Sequence, residues 1–209
     1  MSQIPTLYTP RLILRPFALS DAPRVQELAG DARVAATTLH IPHPYPNGAA
    51  ESWIATHQHN AQTGDAFTFA ITLAGTRTPD HEHDLADTGH LVGSIELKTD
   101  SNDVFAAELG YWIGVAYWNK GFATEASNAV IKFAFDRLSL ARITATHLDE
   151  NPASGRVMQK IGMTRQPTVR LGLKDAQPRQ LINYLLTRDC WSRKRIVHRW
   201  KPAPMSLVT

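Results

Sequence analysis

Between Tyr117 and Thr124 the chain reads Tyr-Trp-Asn-Lys-Gly-Phe-Ala-Thr, and this run holds the residues best suited to receive an anion. Gly121 and Ala123 leave the backbone bare enough for a phosphate to approach, and Lys120 adds a positive charge. Position turns the run into a candidate site: a strand pattern ends just before it and an amphipathic helix pattern starts at Phe122. The first turn of a helix leaves its N–H groups without intrahelical acceptors and carries the positive end of the helix dipole. A phosphate placed there meets both. A glycine at a helix start is also an ordinary packing or capping choice, so the junction needs context.

Competing chemistries find little support. The chain has neither the G-x-x-x-x-G-K-[ST] phosphate loop nor the G-x-G-x-x-G dinucleotide fingerprint, which removes the main argument for a nucleoside triphosphatase or a dehydrogenase. It also has no G-x-S-x-G elbow, and Cys190 stands between Asp189 and Trp191 without a paired histidine motif. His81-Glu82-His83-Asp84 and the pair His57, His59 are of metal-ligand type, but neither matches H-E-x-x-H or a closed ligand set. These histidines read as solvated polar residues, and no metal is expected.

The elements that would position the loop follow from periodicity and punctuation. Arg11 to Phe17 reads as a strand, and Ser20 and Asp21 can cap a helix through Val25 and Leu28. Pro42, Pro44, Pro46, Asn47 and Gly48 break regular structure before a helix that carries Trp53 and Ile54 and stops at Gly64. Strands are predicted at Ala66 to Leu73, His90 to Lys98, Ala106 to Ile113, Arg142 to Leu148 and Arg179 to Leu186. Helices are predicted at Phe122 to Leu138, whose Phe122, Ala126, Ala129, Val130, Phe133 and Ala134 share a face, and at Ser154 to Ile161. Gly75 to Gly89 reads as an excursion. The mixed order predicts an α+β domain and argues against a purely doubly wound parallel sheet.

Composition sets the outer bounds. With 209 residues, 43% of them hydrophobic and 20% charged, the chain suits one globular domain. It lacks an apolar run of the roughly 18 residues a bilayer span needs and a secretory-type N-terminus, so a cytoplasmic protein with no membrane contact is expected. One cysteine excludes an internal disulfide. The net charge of +3 is modest, but Arg188, Arg193, Lys194, Arg195, Arg199 and Lys201 gather near the end beside Trp191 and Trp200. The division expected is a domain at 1–187 followed by a basic solvated tail at 188–209, the tail being the candidate contact for RNA or a ribosome. Monomer and homodimer both remain open.

Three further runs, in order with the loop, give a resemblance that covers nearly the whole chain. They are Thr9-Pro10-Arg11-Leu12-Ile13-Leu14-Arg15-Pro16-Phe17, Glu108-Leu109-Gly110-Tyr111-Trp112-Ile113-Gly114 and Asn151-Pro152-Ala153-Ser154-Gly155-Arg156-Val157-Met158-Gln159-Lys160-Ile161-Gly162-Met163. Together with Trp118 to Ala126 the sequence resembles the GNAT acetyltransferases, and among them the branch that includes the RimJ/RimL-type ribosomal-protein N-terminal acetyltransferases. The resemblance implies a mixed, mostly antiparallel sheet that splays open at its middle, flanked by helices. It implies acetyl-CoA as donor, with the pantetheine arm in the gap against backbone near Tyr111, Trp112 and Ile113. The pyrophosphate would lie on Lys120, Gly121, Phe122, Ala123 and Thr124, with Asn151 contacting the cofactor from the neighbouring strand end. Tyr111 and Trp112 could equally be core aromatics, and Asn151-Pro152 a turn into a helix.

The chemistry implied is direct attack of a neutral amine on the thioester, without a covalent enzyme intermediate, the developing negative charge being met by a backbone N–H of the splayed strand. An α-amino group, with a reference pKa near 8, is already neutral in roughly a tenth of molecules at pH 7, whereas lysine is neutral in well under one in a thousand. A protein or peptide N-terminus therefore needs only a modest base; Glu108 is the first candidate and Glu96 the second. Ser154 could donate to the departing thiolate or could cap its helix. Many relatives of this kind place a tyrosine acid in that helix, where this sequence has Met158, which cannot donate. Other readings are acetylation of a small-molecule amine and a non-catalytic acyl-CoA-binding sensor.

Overall fold

A computed structural model describes residues 4–75, 87–174 and 177–199. The elements run β1 (Leu7–Tyr8), β2 (Leu12–Arg15), α1 (Ala22–Ala29), α2 (Ala32–Ala36), α3 (Ala49–Thr63), β3 (Ala66–Ala74), β4 (Asp87–Asp100), β5 (Asp103–Ile113), α4 (Phe122–Asp136), β6 (Arg142–Leu148), α5 (Pro152–Lys160), β7 (Thr164–Lys174), β8 (Gln177–Thr187) and α6 (Arg188–Arg199). The strands form one sheet in the order β1-β2-β3-β4-β5-β6-β8-β7. Every neighbouring pair is antiparallel except β5 and β6, so the expected mixed, mostly antiparallel sheet is what forms.

Alternation along the strands sorts the core into two layers. Phe67, Phe69, Ile71, Ile95, Leu97, Leu109 and Ile113 pack with Phe122, Ala126, Val130 and Phe133 of α4. Ala70 and Leu91 pack on the other side with Ala22, Val25 and Ala29 of α1 and with Ala50 and Ile54 of α3. Side chains one position apart on β4 and β5 therefore serve different layers, which fixes the register.

The sheet opens in its middle. β5 pairs with β6 only over Ala106, Ala107 and Glu108, opposite Arg142, Ile143 and Thr144. From Leu109 to Ile113, β5 continues beside β4 alone. The gap that follows is the splay expected from the family resemblance.

Several elements lie outside the sequence expectations. β7 falls where no element is predicted, and its Pro167 lacks the N–H a ladder needs; the pairing with β8 shifts register between Arg165 and Val169, where proline is tolerated. The segment expected as a solvated tail begins as helix α6, docked through Arg188, which donates from its backbone N to Ala141 O and from Nε to Leu140 O, and through Trp191, whose ring lies 5.2 Å from that of Phe135. His57 corrects the reading as a solvated residue. It shares the inward stripe of α3 with Ala50, Ile54 and Ala61, is 4% exposed, and lies edge-on to Phe17 and Trp53. His59 is exposed as expected, while His81 to Asp84 lie outside the described residues.

Candidate functional site

The splay opens into a cleft of about 900 Å³ that reaches both layers of the molecule. One end is formed by the loop before α4, the free edge of β5 and the start of α5. The other is formed by the segment from Thr37 to Pro46, by Trp53, and by the face of β4 and β5 that bears Glu96, Lys98, Glu108 and Trp112.

At the first end the loop does what its sequence allows. Gly121 adopts φ +80° as the N-cap of α4, and Asn119 adopts φ +59°, a conformation that asparagine tolerates better than most residues. The first helical donor with an acceptor is the N–H of Glu125, on Gly121 O. The N–H groups of the turn before it have no side-chain cap, and with the helix dipole behind them they make a nest suited to an anion. The loop is braced from outside by Arg11, which donates from Nη1 to Lys120 O and from Nε to Glu125, its guanidinium 4.9 Å from the centre of the Phe122 ring. Burial pushes the Glu125 carboxyl up, but bonds from Thr9 and Arg11 outweigh that and hold it below its usual range. Asn119, Gly121, Phe122, Ala123 and Thr124 line the cleft; Lys120 does not, and its ammonium lies 5.4 Å from the centre of the Tyr117 ring.

Backbone polarity along β5 follows from two bonds. Gly114 N donates to Val92 O of β4, while Ile113 O accepts from Trp118 Nε1 at 2.6 Å. Alternation then turns the main-chain groups of Leu109, Tyr111 and Ile113 toward the gap and hands those of Trp112 to β4. Trp112 meets the cleft with its side chain instead.

The cap of α5 falls to Asn151 and not to Ser154. Asn151 is the N-cap of α5: its Oδ1 accepts from Ser154 N at 3.2 Å and its Nδ2 donates to Thr37 O at 3.1 Å. The capping role considered for Ser154 is therefore overturned, because Asn151 occupies that position three residues earlier. The Ser154 hydroxyl instead lies 2.7 Å from Tyr111 Oη, across the gap. Burial pushes the Tyr111 phenol up to about 12, opposed only by that bond, so it is a proton-bearing partner at neutral pH. Met158 is buried.

At the other end each carboxylate is oriented by a threonine. Glu108 accepts from Thr146 Oγ1 at 2.8 Å, one turn of the ladder beyond the last β5–β6 pair, and Glu96 accepts from Thr68 Oγ1 at 2.6 Å. Lys98 is the cross-strand neighbour of Glu108. The threonines, Asn119 and the segment from Leu39 to Ile41 are cleft features that sequence reasoning missed. Asn119 alone carried a signal, as a residue that tolerates left-handed backbone beside glycine.

Comparison with known proteins agrees with this construction. Over 160 residues the chain is 31% identical to the uncharacterized N-acetyltransferase YnaD of Bacillus subtilis, covering 76% of this chain and 82% of that protein. It is 34% identical to the uncharacterized N-acetyltransferase YoaA of the same organism over 84 residues, 40% of this chain and about half (48%) of that one. Its fold is similar to that of RimL, a ribosomal L7/L12 alpha-N-protein acetyltransferase solved with coenzyme A, with a TM-score of 0.74 at 14% identity over 89% of this chain and 99% of that one. Residues 11–164 match the acetyltransferase (GNAT) domain, and with the splayed sheet in place the chain belongs to the GNAT family of acetyl-CoA-dependent N-acetyltransferases.

Proposed function

We propose that the protein acetylates the α-amino group of a protein or peptide N-terminus, with residues 1–187 as the catalytic unit. The observation that carries this reading is the pair of threonine-oriented carboxylates, Glu96 and Glu108, on the face of the cleft away from the phosphate nest. Carboxylates are weak bases, suited to an amine whose reference pKa lies near 8 rather than near 10.4. The likeness of the fold to RimL, whose acceptor is a protein α-amine, supports the same choice.

In this reading the pyrophosphate of acetyl-CoA occupies the nest from Asn119 to Thr124, and the pantetheine arm runs along the free edge of β5 at Leu109, Tyr111 and Ile113. Lys120, outside the cleft lining, serves as a surface charge for the phosphates, and Asn151 acts through α5. The amine arrives on the Glu96 and Glu108 side. Glu108 takes its proton as the nitrogen–carbon bond forms, and a main-chain N–H of the free edge meets the charge growing on the carbonyl oxygen. When the carbon–sulfur bond breaks, coenzyme A leaves as a thiolate that accepts from the Ser154 hydroxyl. The Tyr111 and Ser154 hydroxyls share one bond in which either can donate; with the tyrosine as donor, the serine proton is free for the sulfur.

Mass spectrometry of a panel offered with acetyl-CoA tests the reading. The panel holds peptides with free N-termini, the same peptides blocked there but bearing lysine, and small primary amines. Acetylation of the first group alone is expected; turnover confined to small amines would replace this function with its small-molecule counterpart, and no turnover at all would favour a sensor. The basic segment after Trp191 is the proposed ribosome or RNA contact. Because Arg188 and Trp191 dock on the domain, a truncation that tests it begins at Ser192, and RNA binding that is both salt-steep and abolished by that cut is expected.

A further inference from the structure

The segment from Thr37 to Pro42 lines the cleft although it has no helix or strand of its own. An irregular segment leaves carbonyls to be satisfied from elsewhere. Here two side chains from far along the chain do so. The Lys174 ammonium, at the end of β7, donates to Ala35 O at 2.6 Å, to Thr38 O at 2.6 Å and to Ile41 O at 3.3 Å. Asn151 Nδ2 holds Thr37 O. The hairpin of β7 and β8 also presses on the segment directly, since a Cβ on Gly172 would come to 3.0 Å from a Leu39 methyl.

An ammonium has three protons in a compact arrangement and no acceptor capacity, so three converging carbonyls match it in number and sign. Ala35 belongs to the last turn of α2, where the helix dipole adds to the attraction. A neutral side chain does not reproduce this: methionine fills the space without donors, and glutamine brings a neutral, shorter donor. We infer that Lys174 is a positioning residue that sets the acceptor wall of the cleft and thereby governs amine binding while leaving acetyl-CoA binding alone. The inference rests on the assignment of that half of the cleft to the acceptor. Its bonds to Ala35, Thr38 and Ile41 all fall on that side of the cleft, so the effect is expected on one substrate.

The test uses full-length protein with Lys174→Met, Lys174→Gln and Lys174→Arg, acetyl-CoA as donor and a short peptide with a free N-terminal serine as acceptor. For Lys174→Met the peptide KM should rise about tenfold or more, with kcat and the calorimetric Kd for acetyl-CoA within about twofold of wild type. Lys174→Arg should recover most of the KM loss, because it restores charge and donors. Hydrogen exchange without any acceptor should speed up for amides between Thr37 and Ile41 in Lys174→Met and not in β4 or α4. Should Lys174→Met fail to fold, Lys174→Gln carries the same readings. Unchanged exchange between Thr37 and Ile41, or a peptide KM and an acetyl-CoA Kd that worsen together, overturns the inference. A wild type that does not acetylate the peptide counts instead against the acceptor reading, and exchange together with acetyl-CoA affinity still decides whether Lys174 sets the wall.

Discussion

The two ends of the cleft are built from different atoms. The end proposed for the phosphates is main chain: the N–H groups of the loop at Asn119 to Thr124 and the edge of β5 that β6 leaves unpaired, held in shape by two left-handed residues and braced by Arg11. The end proposed for the acceptor is side chain: Glu96, Glu108 and Trp112 from the sheet, Trp53 from α3, and a wall whose carbonyls are held by Lys174 and Asn151. A main-chain site depends on backbone geometry and tolerates most exchanges of side chain. A side-chain site depends on each functional group and on the residues that aim it. On the proposed assignment, cofactor binding rests on backbone geometry and acceptor binding on individual side chains.

The largest effect that would sharpen this contrast is expected on the acceptor side. Glu108→Gln keeps shape and the bond from Thr146 but cannot accept a proton, so turnover should fall on the order of a hundredfold or more while acetyl-CoA affinity stays level. The deficit should narrow as pH rises toward the amine's own pKa near 8, because solvent then supplies neutral amine. Wild-type turnover at neutral pH in this variant would remove Glu108 from the chemistry and pass the role to Glu96 or to water.

Next in size is an effect on stability, from the helix that carries Trp53 to the acceptor end. His57 packs beside Trp53 with both ring nitrogens buried and unpartnered, and burial lowers its pKa to about 4 from 6.5. Between those values the unfolded chain binds a proton that the folded chain refuses. Stability is thus complete above pH 6.5 and declines as the pH falls toward 4, by at most about 3 kcal/mol. His57→Leu should flatten the dependence of unfolding free energy on pH across that window. An equally steep slope in the variant would show that another group is responsible.

What the sequence reveals follows the same division. The nest, the central strand and α5 are each written in consecutive residues, Trp118 to Ala126, Glu108 to Gly114 and Asn151 to Met163, because a backbone conformation is a local property. The strands from Ala66 to Leu148 were legible for the same reason, their alternation being set by the two layers they separate. The acceptor wall is different. Thr38 and Lys174 are 136 residues apart, and no local pattern links them. Asn151 was legible as a residue of interest but not as a cap, since a cap is defined by where the helix starts, and Pro152 at the first helical position moves that start two residues ahead of the expected Ser154.

A smaller effect is expected from breaking the backbone end. Gly121→Val would find its nearest neighbour, Arg11 Nη2, at an ordinary 3.5 Å from the new Cβ, so the protein itself leaves room. The cost comes from φ +80°, which a β-branched residue tolerates poorly, and from a side chain placed where the phosphate must approach. Acetyl-CoA Kd should rise about tenfold, in line with backbone strain of about 1–3 kcal/mol. The thermal transition should remain cooperative. Unchanged affinity in a folded variant would mean that the pyrophosphate lies elsewhere.

The smallest expected effect tests a side-chain pair at the backbone end, Tyr111 and Ser154. Because Asn151 caps α5, Ser154→Ala should leave the melting temperature nearly unchanged, where loss of a capping residue would cost roughly 0.5–2 kcal/mol. Turnover should fall about tenfold, since a thiolate is a fair leaving group and one hydrogen bond is worth about 0.5–1.5 kcal/mol net. Tyr111→Phe removes the group that holds the serine hydroxyl at 2.7 Å, yet leaves the serine able to rotate toward the sulfur; about threefold is expected. The two changes act on one bond to the leaving group, so on the Ser154→Ala background Tyr111→Phe should cost almost nothing more. If instead the double variant shows the full product of the two single losses, the tyrosine acts on the substrate by itself, and the pair is two separate contacts rather than one relay.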